Sequence, residues 1–399
     1  MIRITDIRTF ITHPAEVPLI VVRVETNQDG LYGLGCATYT QRCQAVVTII
    51  EEYLKPLLLG RDPMDIQDIW ALCNVNGYWR NGPVVNNALG GIDMALWDIK
   101  GRAAGMPVYQ LLGGKCREGM AVYRYAAGRD KEEVLENAQK LREQGYRYIR
   151  CQILPEFCSP DAVLWKTRKP NDGFHCDPKK YMRTNIALLY YIREKMGEGL
   201  ELLHDSHERL LPIDAIQMAK ELEAAHLFFL EDLFSPEQGE YFRILRSQCS
   251  TPVAQGELFV TPNDWLPLVK DRLIDFIRIH ISAIGGITPA VKCAHVCDAF
   301  GVRLAWHGPI DMCPAGHAAQ LHIDISSQNF GVREWAGIND AMYEVFTGIP
   351  EQENGYIYLN DKPGLGVEFD EKAAARYPLK EEPWIWTQYR SQDSTMQWP

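Results

Sequence analysis

The chain has 399 residues, 46% of them hydrophobic and 23% charged, with a formal net charge of −11. That length exceeds one ordinary domain and suits a barrel of about 250 residues with a smaller companion. The acidic balance argues against a nucleic-acid partner, which wants a basic face, and no run approaches the roughly 20 apolar residues of a membrane span. The opening MIRITDIRTFITHPAEVPLIVV has no basic region followed by an apolar stretch and a small-residue cleavage site, so a cytoplasmic location is expected. Eleven cysteines without a regular framework read as free thiols of a reducing compartment.

Residues 1–118 predict an α+β unit. Alternating segments IRITDIRTFI, PLIVVRVETN and GLYGLG suggest strands, and Asp29-Gly30 is a hairpin signal. Helical patterns follow from Gln44 to Leu59 and from Asn86 to Ala104, with a turn at Gly105. The glycines Gly30, Gly33 and Gly35 have the wrong spacing and context for a dinucleotide fold.

Residues 119–349 change rhythm. Short apolar segments AVYRYA, YRYIRCQ, LELLHD, LFFLED, TPVAQGE, DFIRIHIS, VRLAWHG and FGVREW alternate with amphipathic stretches, which is the count of strands a closed parallel barrel requires. The loop from Leu154 to Tyr181, with Pro155, Pro160, Pro170 and Pro178, suits a lid on the mouth side. Cys293, His295 and Cys297 lie in an amphipathic helical pattern and read as core packing, because a zinc site needs more ligands nearby. Residues 350–399 predict a return that packs on the first domain. The expected fold is therefore α/β: a modified TIM-type β/α barrel with an N-terminal α+β capping domain completed by the C-terminal tail.

Asp205, Glu231 and Glu257 stand 26 residues apart, each after an apolar run. One strand, one helix and two loops fill that interval, so all three would reach the barrel mouth, where catalytic groups gather. Convergent oxygen ligands suit a hard cation such as Mg²⁺ better than Zn²⁺; an acid after a strand can also be a helix N-cap. His207, two residues after Asp205, would share its face in an extended chain and could move protons. Arg150 and Gln152 would face the barrel interior together. Arg278 could balance the acids or hold an anionic substrate; His307, Asp311, Glu334 and Trp335 arrive with strands seven and eight. No Gly-x-Ser-x-Gly elbow, Walker loop or Gly-x-Gly-x-x-Gly is present.

Through RNGPVVNNALGGIDMALWDIKG, HDSHERL, LEDLFSPE, GELF, DFIRIHISAIGGITPA, WHGPIDM and FGVREWAG the chain resembles, nearly end to end, the enolase superfamily. Within it, the similarity is to the mannonate dehydratase-like branch and its starvation-sensing-protein group. The resemblance implies Mg²⁺ on Asp205, Glu231 and Glu257, abstraction of the proton α to a carboxylate, and loss of water to a 2-keto-3-deoxy sugar acid. It implies His207 as general acid, Arg150 as part of an Arg/Tyr base pair, and Arg278, His307, Asp311 and Glu334 around a small acid-sugar substrate in a homo-oligomeric enzyme. Three positions depart from the pattern. Leu154 to Lys180 contains no tyrosine, and Trp165 and His175 in that loop are not at the matching place; Tyr125 replaces a substrate histidine; and Thr40 replaces an asparagine. Weak or absent action on D-mannonate follows, and sugar-acid epimerisation through His207 and His307, or binding without turnover, are the alternatives.

Overall fold

The computed structural model describes residues 1–14, 17–158, 174–380 and 389–398. Most of the proline-rich loop, including Pro160, Trp165 and Pro170, lies outside the described residues.

The first lobe is an antiparallel sheet, Ile4–Thr12, Leu19–Thr26 and Tyr32–Cys36, backed by helices. Its main helix, Pro83–Ala104, starts three residues before the expected Asn86, because proline suits the first helical turn, and stops at left-handed Gly105. Gly33 and Gly35 let the third strand lie directly on this helix: a Cβ on either would come within 1.9 Å of the Ala95 or Gly91 carbonyl oxygen. Their role is close packing.

The barrel strands are Met120–Gly128, Tyr148–Ile153, Glu201–Asp205, Phe229–Glu231, Val253–Gln255, Phe276–Ile277, Arg303–Leu304 and Arg333–Glu334. Each pairs in parallel with its neighbour through the seventh, the eighth pairs with the first, and a Leu304–Phe330 bridge closes the ring. The eight segments expected from the sequence are these strands. Inside lies an apolar plug of Tyr123, Leu203, Phe229, Ala254, Phe276, Ala305 and Val332, with Tyr148 packed against it. Side chains alternate along a strand, so the residues two further on form the next layer toward the mouth.

The return beyond residue 350 touches both lobes. Tyr356–Tyr358 pairs antiparallel with the start of the first barrel strand. The Leu365 N–H donates to Asp98 Oδ1 at 2.7 Å, and Glu371 pairs with Arg8, both on the cap. Farther on, Tyr389–Arg390 pairs with Phe174–His175 on the mouth side of the barrel. Among the described residues no helix is long and apolar enough to cross a membrane.

Candidate active site

Counting two residues past each member of the plug gives Tyr125, Arg150, Asp205, Glu231, Gly256, Arg278, His307 and Glu334. The strand period thus converts one apolar layer into one layer of charge and hydrogen-bonding groups. Glu257 is the exception, one residue out of step with its strand. The chain recovers it with a turn at Gly256, whose φ of +138° lies in a region L side chains rarely adopt.

Two guanidinium groups stand among the carboxylates. Arg150 Nη1 lies 2.5 Å from Glu231 Oε1, 3.2 Å from Asp205 Oδ2 and 3.5 Å from Glu334 Oε1, and its carbon sits 4.0 Å over the Tyr125 ring. Arg278 has no exposed surface. It reaches Glu231 at 2.8 Å, Glu257 at 2.9 Å and Glu334 at 2.7 Å, and also bonds Asp232. Buried charges persist only when so paired. Even so, the acids outnumber the cations. Burial pushes Glu231 up to about 8 and Asp232 up to about 7, against the pull of Arg278 on each. Buried carboxyls short of positive charge, with oxygens of Asp205, Glu231 and Asp232 within 4.8 Å of one another, are a donor set that fits a hard divalent cation.

Glu257 lies between two imidazoles. His207 Nε2 is 3.1 Å from its Oε1, and His307 Nε2 is 3.5 Å from its Oε2. Burial works against a charge on His207, but the Glu257 carboxylate overrides it and holds the ring at about 9. Burial wins at His307, pressing it to about 4 against Glu334 and Glu257. At neutral pH the two rings therefore differ in charge. Glu334 is held down at about 2, since burial is outweighed by Arg278, His307 and Arg150.

The remaining expected residues divide. The Thr40 hydroxyl donates to Asp311 Oδ2 at 2.9 Å, a link from cap to barrel, and Tyr125 donates to Glu334. Gln152 Nε2 is spent on the Tyr181 hydroxyl at 2.8 Å and the Asp205 carbonyl at 3.3 Å. Trp335 is buried against the His317 ring. The extended alternation expected to align His207 with Asp205 does not occur. The strand ends at Asp205, the chain turns left-handed at His207 and Glu208, and the His207 N–H donates to Asp205 Oδ1 at 2.7 Å. His207 reaches the site through this turn. Cys293 and Cys297 are buried in one helix with sulfurs 3.9 Å apart, while His295 is exposed, so they form no metal site with it. Asp232 escaped the sequence reading. Its only signal was adjacency to Glu231.

Residues 3–113 match the N-terminal domain model of mandelate racemase / muconate lactonizing enzyme, and residues 133–373 match the enolase C-terminal domain-like model. The chain is 50% identical to D-galactonate dehydratase family member RspA of Pantoea ananatis, over 98% of each chain. It is 49% identical to a D-galactonate dehydratase family member of Enterocloster bolteae, over 99% of this chain and 98% of that one. The crystal structure of an enolase from Pantoea ananatis with bound D-gluconate and Mg superposes with a TM-score of 0.96 at 50% identity, each chain covered completely. A charged layer at the mouth of a capped barrel and these full-length matches lead to one statement: the chain belongs to the enolase superfamily, among relatives named for D-galactonate dehydratase.

Proposed function

We propose that the protein is a Mg²⁺-dependent hydro-lyase for an acid sugar, removing the proton α to a carboxylate and eliminating water to give a 2-keto-3-deoxy acid. The observation that carries this reading is the pair of imidazoles on the two oxygens of Glu257, one held toward its protonated form and the other toward its neutral form, beside a buried carboxylate cluster. The dehydratase-family relatives and the similar structure holding D-gluconate and Mg support it.

In this reading Asp205 and Glu231 of the compact group would hold the cation together with Glu257, which lies outside that group, and Asp232, which lies in it, would not be a ligand. Bound there, Mg²⁺ supplies positive charge against the substrate carboxylate and the charge that develops as the α-proton leaves. His207, the charged ring, donates its proton to the departing hydroxyl, and His307, the neutral ring, accepts the α-proton. A guanidinium stays protonated at neutral pH, and no tyrosine lies between Leu154 and Lys180 to work with it, so Arg150 orients a substrate oxygen. Arg278, Glu334, Tyr125, Thr40 and Asp311 line the site, while Gln152 and Trp335 support it from behind. Tyr125 and Thr40 make action on D-mannonate weak or absent. The unpaired thiols accord with a cytoplasmic enzyme, and a homo-oligomer is expected, to be measured by light scattering.

The test is a stereochemically complete set of aldonic and uronic acids with the full chain and Mg²⁺, scored for 2-keto acid. Product from at least one acid, abolished by EDTA, is expected; none from any acid would sink the reading. Two imidazoles on one carboxylate would also serve epimerisation. Deuterium entering at C2 without loss of water would favour that reaction instead.

A further inference from the structure

We propose that Asp232 is a positioning residue for the metal: it does not ligate the ion but holds Glu257, the third ligand, within reach. This rests on the assignment of Glu257 as a ligand above.

Ala254 belongs to the apolar plug, so the inward position of the next layer is Gly256, and Glu257 would leave the strand pointing away from the mouth. Its carboxylate nevertheless meets His207, His307 and Arg278. The turn at Gly256 makes the difference, and one side chain fastens that turn. Asp232 Oδ1 accepts the Gly256 N–H at 2.8 Å. Asp232 Oδ2 accepts from Arg278 Nη1, the same nitrogen that donates to Glu257 Oε2 at 2.9 Å. Asp232 therefore restrains Glu257 at the turn before it and through the guanidinium that holds its far oxygen.

Asp232 is itself firmly placed. It has no exposed surface, its φ is +42°, its N–H donates to the Ala254 carbonyl at 2.9 Å, and its carbonyl accepts from the Glu208 N–H at 2.8 Å. The ends of strands three to six meet on this residue. Because its carboxylate lies close to those of Asp205 and Glu231, direct ligation is the alternative to be tested.

Asp232→Asn separates the two roles. The amide has one acceptor oxygen; among the described residues Gly256 N–H has no other partner, whereas Arg278 keeps Glu231, Glu257 and Glu334, so the oxygen goes to Gly256 and the amide NH₂, a donor beside the guanidinium, gives up only the second restraint. The experiment is calorimetric titration of the full chain with MgCl₂ alone, with thermal unfolding measured in parallel. Asp232→Ala is expected to bind Mg²⁺ about 10-fold more weakly or worse, Asp232→Asn within about 3-fold of wild type, and Glu257→Gln at least as weakly as the alanine variant. If alanine at 232 does not fold, Asp232→Ser, too short to reach Gly256, takes its place. An asparagine variant as weak as the alanine and Glu257→Gln variants would make Asp232 a ligand and overturn the proposal. So would wild-type affinity in the alanine variant, or a loss of affinity that merely follows a lowered melting temperature. Wild-type affinity in Glu257→Gln, with Asp205→Asn and Glu231→Gln impaired, would instead remove Glu257 from the ligand set and take both assignments down.

Discussion

Arg278, with no exposed surface, is bonded to Asp232, Glu231, Glu257 and Glu334. Substituting methionine leaves those acids facing one another in a low-dielectric site, where loss of one partner from a buried ionic group costs about 3–5 kcal/mol. Arg278→Met should therefore unfold at lower denaturant, and added Mg²⁺ should raise its melting temperature more than that of wild type; equal shifts would contradict this account. His207→Asn tests the division of labour between the imidazoles. It should retain exchange of the C2 proton with solvent deuterium, followed by NMR, while product formation falls about 100-fold or more. At this scale the sequence showed which residues reach the mouth because strand ends and a fixed interval are local facts. It did not show how His207 and Asp232 get there, since both depend on left-handed turns, tied across strands by the Glu208 N–H to the Asp232 carbonyl and by the Asp232 N–H to the Ala254 carbonyl.

Helix Pro314–Ser326 illustrates how elements join through buried polar contacts. Its His322 is fully buried, accepts the Tyr109 N–H at its Nδ1 at 3.2 Å, and stacks on the Tyr109 ring. Burial presses this imidazole down to about 4. Above the unfolded value of about 6.5 both states are neutral and the histidine adds no pH dependence. As pH falls below that value the unfolded chain takes up a proton that the folded chain refuses, so stability is lost down to about pH 4, on the order of 3 kcal/mol in all. His322→Gln should remove that slope: the stability difference between wild type and variant, from urea titrations at pH 7 and pH 4, should move in favour of the variant by that amount. The order and type of the barrel strands were legible because apolar runs recur between amphipathic ones. Boundaries were less so. The helix expected at Asn86 begins at Pro83, and the stretch expected as one helix from Gln44 to Leu59 passes through a π-helical segment at Ile49–Leu54, where hydrogen-bond spacing, invisible to hydrophobic period, decides the form.

Across the molecule, the chain's last described strand is far from its sequence neighbours in role. Tyr389–Arg390 pairs with Phe174–His175, the Arg390 carbonyl accepts the Cys176 N–H at 2.8 Å, and the Tyr389 hydroxyl donates to Glu156 at 3.2 Å. Deleting residues 389 onward should leave the melting temperature nearly unchanged but speed amide exchange at Cys176, read by mass spectrometry; unchanged exchange would show that the strand pairing carries no protection. No local pattern announced this pairing, because it joins segments more than two hundred residues apart. Cap and barrel are joined more heavily still. Asn86 Nδ2 donates to the Val260 and Ala283 carbonyls at 2.7 and 2.8 Å, Asp93 Oδ2 accepts the Thr288 N–H at 2.9 Å, Trp70 Nε1 donates to the Gly285 carbonyl at 2.9 Å, and Ser282 Oγ donates to the Cys36 carbonyl at 2.9 Å. Lobes that complete each other's main-chain hydrogen bonds cannot swing apart like a hinge without stripping those groups. The aperture is then a fixed frame, and a change of substrate preference in this chain would be written in the side chains that edge the frame, with the angle between its two halves left as it is.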